Sequence, residues 1–150
     1  MSKLAWLSLL CLPLLFSSGS LANDVNSKGA ATKEELCTLY REYANAKDKE
    51  RIRSLVYWQG VQDHERNAFN KSIEDDSQFK IKNVEIKPLD KNQMMEYTLQ
   101  GITYRPTLEP IGNLVVTYEP QGTVNALSTS YLVGAKDARY YIILASPVQK

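Results

Sequence analysis

The chain has 150 residues, with 18 lysines and arginines, 17 acidic residues and a single histidine. That length implies one domain, large enough to bury a core without disulfide or metal staples. The charge is balanced and no basic block occurs. This excludes the electrostatic footprint of a nucleic-acid binder and a polybasic membrane patch.

Residues 1–22 read as a secretory signal peptide. Lys3 supplies the positive start, and Leu4 to Phe16 is apolar apart from Ser8 and Pro13. Ser17 to Ser20 are small, and Ser20-Leu21-Ala22 places small side chains where a signal peptidase reads them. The apolar run is shorter than the ~20 residues a bilayer span requires, so no transmembrane segment is expected after cleavage. Cys11 lies inside this run and not at its end, which disfavours lipidation. The protein is therefore expected to be periplasmic or secreted. Loss of Cys11 with the signal leaves Cys37 without an intramolecular partner.

Residues 23–31 are polar and small and read as a flexible leader, so a single domain over 32–150 is expected. Thr32-Lys33-Glu34-Glu35 has the form of a capping box. Leu36, Tyr40 and Tyr43 follow at helical spacing and predict a helix to about Ala46. The same spacing puts Cys37 on or near the apolar face, where a thiol is inert packing. Asp48 caps a second expected helix, from Lys49 to about Trp58, with Gly60 as its stop. Asp63 is the expected cap of a third helix, which runs to Asp76 with Ala68, Phe69 and Ile73 inward.

Beyond Asp76 the period falls to two. Phe79 and Ile81 alternate in one phase, Val84 and Ile86 in the other, so a bulge is expected near Asn83. Met95, Tyr97 and Leu99 form the next alternation. Gly101 before Ile102 and Tyr104 marks a second bulge or a sharp bend. Two prolines bar 105–110 from a central strand. Leu114 to Tyr118 is a strand, Glu119 to Gly122 a turn, Val124 to Val133 a weaker strand and Gly134 to Ala138 a turn. Tyr140 to Ala145 is apolar on both faces, as an inner strand would be, and Pro147 ends the fold. Helices followed by antiparallel strands give an α+β domain, its N-terminal helices packed on a curved antiparallel sheet of four to six strands.

This order of elements, over residues 32–146, resembles the cystatin-like cone of the nuclear transport factor family. The resemblance implies helices seated in the concavity of a bent sheet. It also implies that an enzyme of this type would place an acid or a histidine near a tyrosine inside the pocket. No such motif matches residue by residue. Tyr57-Trp58-Gln59-Gly60-Val61, Pro110-Ile111-Gly112 and Val133 to Asp137 with Tyr140-Tyr141-Ile142 resemble segments of small exported bacterial proteins.

Asp63-His64-Glu65 holds the only histidine, but adjacent helical residues point apart and are not expected to converge. One histidine and one cysteine are too few for an ordinary zinc site, so no metal or cofactor is expected. Ser128, Thr129 and Ser130 lack a nucleophile elbow, and the glycines are scattered singly. The tyrosines carry more information: nine stand against three phenylalanines. A buried tyrosine hydroxyl wants a partner, so a pocket lined by rings and hydroxyls is expected. Trp58, Tyr97, Tyr104 and Arg105 are the candidate ligand-binding residues, with Arg105 suited to a carboxylate. The leading expectation is a non-catalytic binding module for a small organic ligand or another exported protein. The alternative is a small-pocket hydrolase or isomerase of the cone type, using His64 or Glu96 with a tyrosine.

Overall fold

The computed structural model describes residues 26–123 and 125–148; the signal peptide expected over residues 1–22 lies outside the described residues. The protein is an α+β domain with the order α1 (Lys33–Asn45), α2 (Lys49–Ser54), β1 (Val56–Tyr57), α3 (Asp63–Asp76), β2 (Ile81–Lys87), β3 (Tyr97–Leu99), β4 (Ile102–Pro106), β5 (Pro110–Tyr118), β6 (Ser128–Lys136), β7 (Arg139–Ile143) and β8 (Ala145–Pro147). No helix among the described residues is long and apolar enough to cross a membrane.

The helix starts follow local chemistry. Thr32 accepts from the Glu35 N–H at 3.0 Å, while the Glu35 carboxylate takes the Ala31 N–H and not that of Thr32. Asp48 caps α2 by accepting from Arg51 N–H at 3.1 Å. Asp63 is not the cap of α3. It is the first helical residue, and Gln62 occupies the cap position without a side-chain bond. α2 ends at Ser54, four residues before the expected Trp58. Val56 and Tyr57 leave it to pair in parallel with Ile142 and Ile143. Two β-branched or aromatic residues bonded to a strand some 86 positions away outcompete one more helical turn.

The expected single sheet is two. The larger has the order β1-β7-β6-β5-β2, the smaller β3-β4-β8. All pairs except β1–β7 are antiparallel. The chain passes from one sheet to the other at Leu144, between β7 and β8. Register shifts fall between Ile81 and Asn83, as the phase change required, and between Pro110 and Gly112. Each such irregularity bends its strand and raises the local twist. Gly101 marks no bulge: Gln100 and Gly101 both have positive φ, and they turn β3 into β4 as a two-residue hairpin. β6 runs on through Gly134 to Lys136, so the next turn is only Asp137-Ala138.

The core lies between the helices and one face of the larger sheet. Leu36, Tyr40, Ile52, Phe69 and Ile73 meet Val84, Leu114, Val116, Tyr131, Val133 and Ile142. An aromatic series crosses it, with Tyr40 to Tyr131 at 6.0 Å, Tyr131 to Phe69 at 5.4 Å and Phe69 to Trp58 at 5.8 Å between ring centroids. The last residues of the expected leader also join the body. Ala30 is fully buried and exchanges both backbone hydrogen bonds with Tyr140, and the N–H groups of Lys28 and Gly29 donate to Ser54 O. Gly29 has φ +57° and stands so close to the sheet that a Cβ would lie 2.5 Å from Tyr141 Cε1. Only glycine meets both demands.

Candidate functional site

The sequence candidates fall into three separate places. Tyr97 and Tyr104 are register partners across the β3–β4 hairpin, and their rings stack at 5.0 Å and 10°. The edge of the His64 ring meets Tyr104 at 5.2 Å. The Tyr97 hydroxyl donates to Glu65 Oε1, which also lies 3.3 Å from His64 Nε2. Thus His64 and Glu65 do converge, contrary to the helical-direction argument. Glutamate's rotatable stem swings round to the side where the hairpin offers a donor. Burial, then the Glu65 carboxylate, pushes the Tyr97 hydroxyl above its ordinary range. The cluster caps the start of α3, and none of the concavities described below contains it.

Glu96 and Arg105 occupy the opposite face of the same hairpin, as strand alternation requires. Arg105 Nε grips the Glu96 carboxylate, so the partner expected for Arg105 is an internal one. Both side chains are about half exposed. They border a shallow concavity with Pro106, Thr107 and Leu108. Trp58, expected at a pocket rim, is a core residue. It is 7% exposed, its Nε1–H donates to Arg53 O at 2.8 Å, and the Arg66 guanidinium covers its ring at 4.9 Å.

A fourth grouping, missed by the sequence reading, lies inside. The Tyr40 hydroxyl donates to Tyr131, and the Tyr131 oxygen stands 3.2 Å from Ser72 Oγ. Thr129 donates to Asp76 Oδ2 at 2.8 Å, and the Tyr118 hydroxyl reaches the same carboxylate. Burial is the largest cause that holds Tyr40, Tyr118 and Tyr131 above the ordinary phenol range. Tyr40, Tyr118 and Asp76 face a cavity of about 20 Å³, room for one water molecule. One sequence signal did point here. Asp75 and Asp76 crowd the C-terminal turn of α3, where the helix dipole disfavours carboxylates and no basic residue stands; Lys71, a turn earlier, pairs with Asp75 and leaves Asp76 to the interior.

The roomiest of the three concavities, about 530 Å³, opens between α1 and the edge strand β2. Its floor is apolar: Cys37, Val84, Ile86, Pro88 and Ile111. Lys33, Glu34, Glu85 and Lys87 form its rim. α1 creates it by presenting residues 33, 34 and 37 alongside β2 at helical spacing. Burial, then the Glu34 carboxylate, raises the Cys37 thiol, which keeps it protonated at neutral pH. The thiol was legible as packing, but not as part of a groove. Among the described residues, no group of three or more histidine, cysteine or acidic side chains is placed to hold a metal ion. No protein-family model, no curated protein and no solved structure matches the chain.

Proposed function

We propose that this is an exported, non-catalytic binding module and that the α1–β2 groove is its binding surface. Export rests on the Lys3 to Ala22 signal pattern. Binding rests on one observation above the others: the roomiest of the three concavities has an apolar floor and a charged rim, the usual make-up of a recognition site. The chemistry-bearing side chains stand elsewhere. His64 and Glu65 are engaged with tyrosines, Glu96 with Arg105, and Asp76 lines a space for a single water.

The test uses Cys37 as a built-in reporter. The protein is titrated with a panel of short synthetic peptides and small apolar dyes, while maleimide alkylation of Cys37 is followed by mass spectrometry. Occupancy of the groove slows alkylation. A panel that leaves the rate unchanged throughout removes this reading.

One observation favours a second reading, a hydrolase or isomerase of the cone type: Asp76 stands beside Tyr118 in an internal cavity. That cavity would have to open more than tenfold to reach the roughly 300 Å³ of a small-ligand site. Turnover of nitrophenyl esters that disappears in Asp76→Asn supports it; inactivity of both proteins counts against it.

A further inference from the structure

We infer that the cavity beside Asp76 takes the primary ammonium group of a small alkylamine. The site is separate from the α1–β2 groove and rests on neither reading above. Residues of the α1–α2 turn, the C-terminal end of α3, β2 and β5 enclose it. Exposed Lys47 is among them, so the cavity reaches the surface. The free space of about 20 Å³ admits one water molecule or one ammonium group, which are close in size.

The polar groups around this space have no donors to spare. The Tyr40 hydroxyl is spent on Tyr131 and that of Tyr118 on Asp76, while Ser77 Oγ donates to Glu74 O at 2.6 Å. What these hydroxyls still offer is lone pairs. Asp76 adds a carboxylate whose acceptor capacity exceeds the bonds from Thr129 and Tyr118. A water molecule would bring two donors and no charge. A primary ammonium brings three donors and a positive charge. The charge matters because Asp76 is partly buried and forms no ion pair among the described residues. A carboxylate withdrawn from water is costly without a cation. Of the two lysines at the cavity, Lys49 pairs with Glu74 at 3.2 Å, and Lys47 has no ion pair among the described residues. One carboxylate is too few for a divalent metal ion, which the apolar walls also disfavour. Those walls suit an alkyl stem instead: Ile52 and Ile73 are buried, and Ala44, Phe79 and Ile81 are partly exposed.

The experiment titrates the protein at neutral pH and constant ionic strength with butylammonium chloride, butanol or tetramethylammonium chloride. The methyl signals of Ile52 and Ile73 are followed by NMR. Saturable shifts are expected with butylammonium alone, because butanol has no charge and tetramethylammonium has no N–H donor. Asp76→Asn should weaken binding about tenfold. Lys47→Gly tests the site without touching the core: glycine accepts the φ of +54° found there, and removal of a like charge should tighten binding. Silence in the parent and in Lys47→Gly overturns the site. Equal shifts with butanol, or displacement of butylammonium by potassium at equal concentration, overturn the ammonium preference. If butylammonium binds only once Lys47 is gone, the Lys47 ammonium is the occupant and an external amine is overturned.

Discussion

Tyr40 shows how a single hydroxyl couples the core to pH. Its ring is 2% exposed and packs against Tyr131, and its O–H donates to the Tyr131 oxygen. Tyr40→Phe keeps the ring and loses that bond, a cost of about 1 kcal/mol near neutral pH. Alkaline conditions reverse the comparison. Below about pH 10 both the folded and the unfolded chain keep the phenol proton. Above it, the unfolded chain ionises its tyrosines while the folded chain holds Tyr40, Tyr118 and Tyr131 neutral. The unfolded state then binds fewer protons, and stability falls by about 1.4 kcal/mol per pH unit for each such group. The variant has one fewer. Urea denaturation of both proteins should give stability curves that meet about one pH unit above 10. Parallel curves would show that Tyr40 ionises equally well in the folded state.

Among the elements, the turns store more strain than the sequence suggests. The β6–β7 hairpin turns through Asp137 and Ala138, with φ +50° and +59°. An aspartate tolerates the left-handed region; an alanine there costs roughly 1–2 kcal/mol. Ala138→Gly gives the Asp-Gly pair that two-residue hairpins favour. Thermal denaturation should show a gain of about 1 kcal/mol, and a loss would mean that the Ala138 methyl group makes a packing contact of greater worth. The helices were legible because caps and the 3.6-residue period are local properties: Thr32 and Asp48 cap where the sequence placed them. The break after Ser54 was not, because its cause is Ile142 and Ile143, far along the chain. Nor was the seating of Ala30 against Tyr140, for the same reason.

For the molecule as a whole, the free edge of β2 is a place where self-association has to be opposed. Exposed edges invite pairing, and lysines with bulges oppose it. β2 has both at Lys82. Lys82→Val removes the charge and raises the β propensity of an exposed position. Sedimentation should then show mass rising with concentration, where the parent chain stays monomeric. A monomeric variant would show that the bulge alone protects the edge.

The candidate groove illustrates how far sequence reading reached. Val84 and Ile86 were legible as one apolar face and Cys37 as helix packing; their common floor with Pro88 and Ile111 was not. Tyr97 and Tyr104 were legible as ring candidates, but His64 beside them was not. By itself, the sequence determined what depends on near neighbours: three helical segments in the N-terminal half, the caps at Thr32 and Asp48, the phase change at Asn83, the balanced charge and the α+β class. Only the tertiary structure decided that the strands divide into two sheets and that β1 pairs in parallel. It also decided which tyrosines share Asp76, and that α1 leaves a groove along β2. Those outcomes depend on contacts between distant residues. Periodicity fixes which face a side chain turns to, but not which partner meets it there.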